Sequence, residues 1–265
     1  MTGAEAMICD DSFVRTLAIV QARMGSSRLP GKVLADLEGQ AMILRQLERV
    51  KRSPLIDQIV VATSDDASDE GLAEVLEEAG YSVARGSQDD VLSRFIMALD
   101  SCPSEWVVRI TADCPLISPR VIDSVIDAAL SSDADYMSNT MTPTFPDGLD
   151  VEVVRASVLR EVASISTDPH EREHVTLGVY RRQDTYSIQN LADGIDRSEL
   201  RWTVDTADDL AFVRAVYGEL LPRNSAFEYE DVLDFLQRNP SLNRTSADSK
   251  RNAALDGLET GAMNV

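Results

Sequence analysis

This chain is short of the features that stabilise secreted scaffolds, membrane proteins and nucleic-acid binders. It has three cysteines in 265 residues, Cys9, Cys102 and Cys114. Their wide spacing forms neither a disulfide framework nor a zinc knuckle, and Cys102 and Cys114 read as small apolar packing groups. Aromatic residues make up 5%. Positive charge is scarce: 25 Lys and Arg stand against 45 Asp and Glu, a net charge of −20. No extended basic patch exists to neutralise a phosphate backbone, which argues against a nucleic-acid partner. No apolar run approaches the roughly 20 residues needed to cross a bilayer, so no membrane insertion is expected. Residues 1–12 carry Glu5, Asp10 and Asp11 without a basic start, so no signal peptide is expected and the expected location is cytoplasmic. A hydrophobic fraction of 44% over this length supports a full core and suits an α/β protein rather than a disordered one.

Against that acidic background one segment stands out. Residues 21–34 read Gln-Ala-Arg-Met-Gly-Ser-Ser-Arg-Leu-Pro-Gly-Lys-Val-Leu, straight after the apolar run Thr16-Leu17-Ala18-Ile19-Val20. The pattern is a buried strand entering a loop with two glycines and three cations, Arg23, Arg28 and Lys32. Gly25 and Gly31 allow backbone N–H groups to approach an anion closely, and Ser26 and Ser27 add hydroxyl donors. Arg28 can fork onto phosphate oxygens, and Lys32 is a mobile point charge. The loop is suited to a polyphosphate. It is not a P-loop, which reads G-x-x-x-x-G-K-[ST]. Here one residue more separates Gly25 from Gly31, and Val33 replaces the magnesium-binding hydroxyl. Any metal therefore needs carboxylates from elsewhere.

Strand and helix signals alternate through the first 140 residues. Apolar runs mark strands over 16–22, 57–63, 81–84, 106–110 and 135–138, and amphipathic stretches mark helices over 41–51, 69–79, 89–99 and 119–130. Such alternation predicts an α/β fold: a mostly parallel sheet with helices on both faces. The rhythm changes at the turn-rich Thr142-Pro143-Thr144-Phe145-Pro146-Asp147-Gly148. Helices near 155–164 and 169–181, strands near 186–188 and 200–204, and helices over 208–220 and 229–237 follow. The expected organisation is a flexible leader at 1–14, one domain at 15–240 with a small subregion at about 140–195, and a disordered tail at 241–265.

Ligands of open α/β sheets bind beyond the carboxyl ends of the strands. Besides the cationic loop, Thr63-Ser64-Asp65-Asp66, Thr111-Ala112-Asp113 and Val204-Asp205-Thr206 fall at such ends. If those strands are neighbours, Asp113 and Asp205 face the loop across one crevice. Two carboxylates with phosphate oxygens make a natural magnesium site. Taken singly, each aspartate serves equally well as a helix cap or turn residue.

Together these segments resemble the cytidylyltransferases that activate acidic sugars, the acylneuraminate and 3-deoxy-manno-octulosonate cytidylyltransferases, and most of all the spore-coat-polysaccharide branch. The residues that carry the resemblance are the 21–34 motif, Arg85-Gly86-Ser87 with Asp89-Asp90-Val91-Leu92, Asp113-Cys114-Pro115-Leu116, Arg172-Glu173-His174-Val175-Thr176 and Thr203-Val204-Asp205-Thr206, within residues 16–238. The resemblance implies a Rossmann-like nucleotidyltransferase fold and transfer of CMP from CTP to a small anionic acceptor in surface-polysaccharide synthesis, with release of pyrophosphate. It also implies site roles. Lys32 and Arg28 would bind the reacting phosphates. Ala22, Arg23, Gly25, Ser26, Thr63, Ser64, Arg85 and Asp89 would surround the nucleotide. Asp150, Arg172 and His174 would meet the acceptor, and Asp113 and Asp205 would hold Mg²⁺. A homodimer through the middle region is implied as well. The rival readings are a nucleotide-sugar glycosyltransferase and a non-catalytic nucleotide-binding module.

Two motifs point elsewhere. His170-Glu171-Arg172-Glu173-His174 matches the zinc-protease pattern H-E-x-x-H. Its position just after Asp168-Pro169, and Arg172 inside it, speak against a zinc hydrolase; a lid over the acceptor, or a plain polar helix, fits better. Asp133-Ala134-Asp135 mimics the metal-binding Asp-x-Asp of glycosyltransferases, but it precedes a strand instead of ending one, and reads as a solvated turn. In Asp147-Gly148-Leu149-Asp150-Val151-Glu152, a tight turn leads into a strand at the mouth of the site, where Asp150 or Glu152 could contact an acceptor hydroxyl.

Overall fold

The computed structural model describes residues 14–245. The expected leader and tail lie largely outside this range. At its edges, Val14 already pairs in the first strand, and a 3-10 turn at Pro240–Leu242 is followed by a bridge between Leu200 and Thr245.

The first strand, β1 (Val14–Gln21), explains the layering. Its stretch 17–20 is apolar at every position, and alternate side chains go to opposite faces. Ala18 and Val20 join one buried cluster, and Leu17 and Ile19 join another. A strand buried on both faces reads as a continuous apolar run, as this one does. The first cluster is covered by α1 (Met42–Val50), α2 (Glu70–Glu78), α4 (Pro119–Leu130), α8 (Ala207–Leu220) and α9 (Tyr229–Arg238). The second is covered by α3 (Val91–Ser101) and α5 (Ala156–Ile165).

The remaining strands are β2 (Gln58–Ser64), β3 (Ser82–Gly86), β4 (Ser104–Thr111), β5 (Tyr136–Ser138), β6 (Glu152–Arg155) and β7 (Ile188–Asn190). They form one seven-stranded sheet in the order β3-β2-β1-β4-β6-β5-β7. β1 pairs in parallel with β2 and with β4, and β2 in parallel with β3; β6 runs antiparallel to β4 and β5. The chain builds outward from β1 through β2 to β3, then returns to β1's other side as β4. That reversal leaves a crevice beyond the carboxyl ends of β1 and β4, the topological switch point where such sheets bind ligands. The expected mostly parallel, helix-covered sheet is present.

Three local expectations are corrected. The helix expected over 169–181 is two short pieces, α6 (Pro169–Glu173) and α7 (Leu177–Tyr180). Val175 between them has φ of 51°, is fully buried, and is followed by Thr176, whose hydroxyl binds Glu152 Oε2. Tertiary burial overrides helix propensity there. Residues 200–204 form no sheet strand. Arg201 only bridges Asp147, and the Val204 N–H is taken by the Asp113 carbonyl at 2.8 Å. Finally, Cys102 is disulfide-bonded and therefore more than a packing group, whereas Cys114 is a free buried thiol.

The contact between the 146–149 turn and residues 200–203 is unusually close. Trp202 N–H donates to the Asp147 carbonyl at 2.6 Å. Gly148 sits at φ of 109°, and a Cβ there would lie 2.8 Å from the Trp202 carbonyl carbon. Gly148→Ala therefore meets both a forbidden dihedral and a backbone wall. The variant is expected to lose about 2–3 kcal/mol in urea unfolding; wild-type stability in Gly148→Ala would show that this close approach relaxes freely.

Candidate active site

The cationic loop leaves β1 at the switch point and is tied down at both ends. Ala22 N–H donates to Ala62 O at 3.0 Å, and Met24 N–H to the buried Asp69 Oδ1 at 2.6 Å. Gly31, at φ of 72°, turns the loop and starts a short 3-10 helix, Lys32–Leu34, by an N–H bond to Met24 O at 3.0 Å. That turn sends Lys32 inward. Its side chain is 10% exposed, and its Nζ donates to Val204 O at 2.6 Å and Asp205 Oδ1 at 3.0 Å, with Asp113 Oδ2 3.8 Å away. Asp113 follows β4, so the first strand's loop, the fourth strand's loop and residues 204–205 meet on one ammonium group.

Asp205 Oδ2 lies 2.5 Å from Arg201 Nη2 and 3.1 Å from Arg28 Nη2. Arg201 is 2% exposed and also pairs with Asp147 at 2.9 Å. Burial alone would raise the Asp205 carboxyl, but the charge and hydrogen bond of Lys32, with Arg201 and Arg28, hold it below the usual aspartate range. Thr111 Oγ1 donates to Asp113 Oδ1 at 2.6 Å, which leaves Oδ2 turned toward Lys32.

These groups line a cavity of about 450 Å³, within the range of small-ligand sites. Of the residues expected at the site, Ala22, Arg23, Ser26, Arg28, Lys32, Asp113, Asp150, His174 and Asp205 line it. Burial holds the His174 imidazole below its usual pKa. Gly25, Thr63, Ser64, Arg85, Asp89 and Arg172 are not among the lining residues. Gly25 is exposed at an ordinary φ, and a Cβ there would meet nothing. Thr63 is fully buried in β2. The Ser64 hydroxyl is given to Asp69. Arg85 pairs with Glu70 at 2.8 Å, and Asp89 is exposed. Asp90 caps α3 and pairs with Arg172 at 2.6 Å, so both act on structure. Glu152 is no free acceptor ligand either: it is buried in an ion pair with Arg109, directly opposite on β4, and accepts from Tyr136 at 2.8 Å.

Three cavity groups escaped the sequence reading: Arg201, Asp147 and Arg94. Arg201 and Asp147 lie in segments whose contact is not local, and no spacing rule joins them. Arg94 stands on the apolar-striped α3, where it resembles a solvated helix residue. It is 2% exposed, and its buried Nε and Nη1 have no partner. Burial and the nearby Arg23 charge both lower its pKa. An unpaired buried guanidinium is costly without a ligand.

Acidic residues of the two motifs that pointed elsewhere are engaged in other contacts. Asp135 Oδ2 accepts the Ser187 N–H at 3.0 Å, Asp133 accepts from Gln189 at 3.3 Å, and neither lines the cavity. In the H-E-x-x-H segment, Glu171 is 6% exposed and held by Ser166 and Arg182.

Comparisons with known proteins show the family and the fold. A family model described as cytidylyltransferase matches residues 17–211. The chain belongs to the cytidylyltransferase family. It is 33% identical over 231 residues to the spore coat polysaccharide biosynthesis protein SpsF of Bacillus subtilis, covering 84% of this chain and 95% of that one. A solved cytidylyltransferase from Leptospira borgpetersenii superposes with a TM-score of 0.81 at 31% identity, over 86% of this chain and 96% of that one. A CMP:2-keto-3-deoxy-manno-octonic acid synthetase solved with CTP shares the fold at 18% identity and a TM-score of 0.58, over 78% of this chain and 100% of that one. As a cytidylyltransferase, the chain is a CTP-dependent nucleotidyltransferase. Among the described residues, no helix is long and apolar enough to cross a membrane.

The depressed Asp205 pKa fixes a pH dependence of this cytidylyltransferase. Its contribution to stability is fully present above the ordinary aspartate value of about 3.9 and is lost as pH falls through the lower native value. Asp205→Asn is expected to lower stability at neutral pH and to flatten the acid limb in urea unfolding between neutral and about pH 3. An acid limb as steep as wild type would place the linkage on other carboxylates.

Proposed function

We propose that this enzyme transfers CMP from CTP to an acidic sugar or a related small anionic acceptor, releasing pyrophosphate, for surface-polysaccharide synthesis. The observation that carries the reading is Lys32 Nζ between Asp113 and Asp205 at the mouth of the switch-point crevice. The names of the relatives, SpsF and the octonic acid synthetase, support the acceptor class and the pathway.

Lys32 and Arg28 are paired with Asp205. A triphosphate offers both cations more negative charge than one carboxylate does, so they exchange partners on binding. The acceptor oxygen then forms a bond to the α-phosphorus as the bond to the leaving β-phosphate oxygen breaks, and the electron pair departs with pyrophosphate. Negative charge grows on the non-bridging and leaving oxygens, which Lys32 and Arg28 meet after that exchange. No protein nucleophile is needed. Arg94 offers its unpaired Nε and Nη1 to a substrate oxygen, and Asp150 offers a carboxylate to an acceptor hydroxyl.

A divalent ion fits this site. The donor set is carboxylate oxygen, as magnesium prefers, and an ammonium cation stands between the two aspartates. Asp113 and Asp205 would hold magnesium, which would neutralise charge on the phosphate oxygens. The glycosyltransferase reading is disfavoured because Asp133 and Asp135 are spent on turn and strand contacts.

The direct test is pyrophosphate release from each of the four ribonucleoside triphosphates against a panel of acidic-sugar, sugar-phosphate and phosphonate acceptors, with and without Mg²⁺. Release specific to CTP and dependent on an acceptor is expected, and release that ignores the acceptor would overturn the reading. Lys32→Ala is expected to lower kcat by about 10²–10³-fold, the worth of one preorganised charge donor. Arg94→Met is expected to raise the KM for substrate by about tenfold to a hundredfold, as loss of a charge-assisted hydrogen bond does. An unchanged KM would leave Arg94 a packing residue.

A further inference from the structure

We propose that His170, Glu173 and His174 hold a divalent cation of the zinc class at the rim of the cavity. One donor atom from each residue can be chosen so that all lie within 4.8 Å of one another. The spacing i, i+3, i+4 puts the three side chains on one face of α6 and its carboxyl end. The backbone beneath them is fixed. Asp168 caps the helix through His170 N–H at 2.9 Å and pairs with Arg181 at 2.8 Å, and His174 N–H donates to His170 O at 2.9 Å.

The chemistry of the set separates it from the Asp113–Asp205 pair. Two imidazoles and one carboxylate suit zinc, cobalt or nickel, whereas an all-oxygen pair suits magnesium. The two other charged side chains of the motif are engaged elsewhere. The Arg172 guanidinium is paired with Asp90 and with the carbonyls of Ala163 and Ser166. Glu171, which would be the base of a zinc hydrolase, is bound to Ser166 and Arg182. The motif thus keeps metal ligands without a hydrolytic base. Glu173 and His174 line the cavity, so an ion with three protein ligands keeps open positions toward it. Those positions suit a carboxylate or phosphate oxygen of the second substrate. That last role rests on the proposed transfer reaction; binding of the ion does not.

The test titrates the full chain, without nucleotide, with Co²⁺ and with Zn²⁺ in the presence of excess Mg²⁺, read by calorimetry and by the Co²⁺ visible spectrum. A single ion per chain is expected. His170→Ala and Glu173→Gln, each checked for native circular dichroism, are expected to weaken it by more than about tenfold, and Asp113→Asn to leave it unchanged. Absence of saturable binding, or binding indifferent to His170→Ala, would overturn the site. Loss on Asp113→Asn would move the ion to the phosphate end and overturn it equally. Because no turnover is measured, failure of the transfer reaction and failure of this site are separately visible.

Discussion

The site depends on one buried ammonium group. Lys32 Nζ is bonded to a backbone carbonyl and a carboxylate from residues 204–205 and stands near a second carboxylate that follows β4. These three chain segments have no covalent reason to meet. Gly31 supplies the left-handed turn that points Lys32 inward, and the parallel pairing of β1 with β4 brings Asp113 within its reach. A lysine so placed costs desolvation unless fully paired. The pairing therefore ties the loop after β1, the loop after β4 and residues 204–205 together at the sheet's carboxyl end.

A protein of net charge −20 has to build an anion site against its own field. It does so by matching charges locally. Arg201 is nearly inaccessible yet is surrounded by Asp147, Asp205 and Asp209, and their charges outweigh the burial that would otherwise disfavour its charged form. Asp209 in turn accepts the N–H groups of Asp205 and Thr206 and caps α8. Asp205, which pairs with Lys32 and Arg28, is thus itself held in place by Asp209 and Arg201. Arg94 differs from these arginines: it is buried, and its Nε and Nη1 have no hydrogen-bond partner.

Much of this was legible in the sequence because it is local. The apolar run of β1, the glycines and cations after it, and the aspartates at the strand ends follow rules of period and spacing. Those rules bring Lys32, Asp113 and Asp205 to one crevice once β1 and β4 are neighbours, and the three line one cavity. They fail where tertiary contact decides. Ser64 reads as a ligand hydroxyl but belongs to Asp69, and Arg172 reads as an acceptor contact but belongs to Asp90. Val204 has strand propensity, yet its N–H goes to a loop carbonyl. Arg94 was missed because on an amphipathic helix nothing but the packed structure distinguishes a buried arginine from a solvated one.

The two halves of the cavity are built differently, and this explains why one end is readable and the other is not. The readable end rests on β1 and β4, long strands whose register is fixed by burial on both faces. The other end is made by the 146–150 turn and by α6, short pieces held by single contacts: Gly148 against Trp202, Val175 in a left-handed conformation, and Thr176 on Glu152. Beneath them the Arg109–Glu152 pair with Tyr136 gives a polar floor that admits no slack, since each group is another's partner. A change in one of these short pieces strains a single contact, as Gly148→Ala does against Trp202, while the pairing of β1 with β4 is untouched.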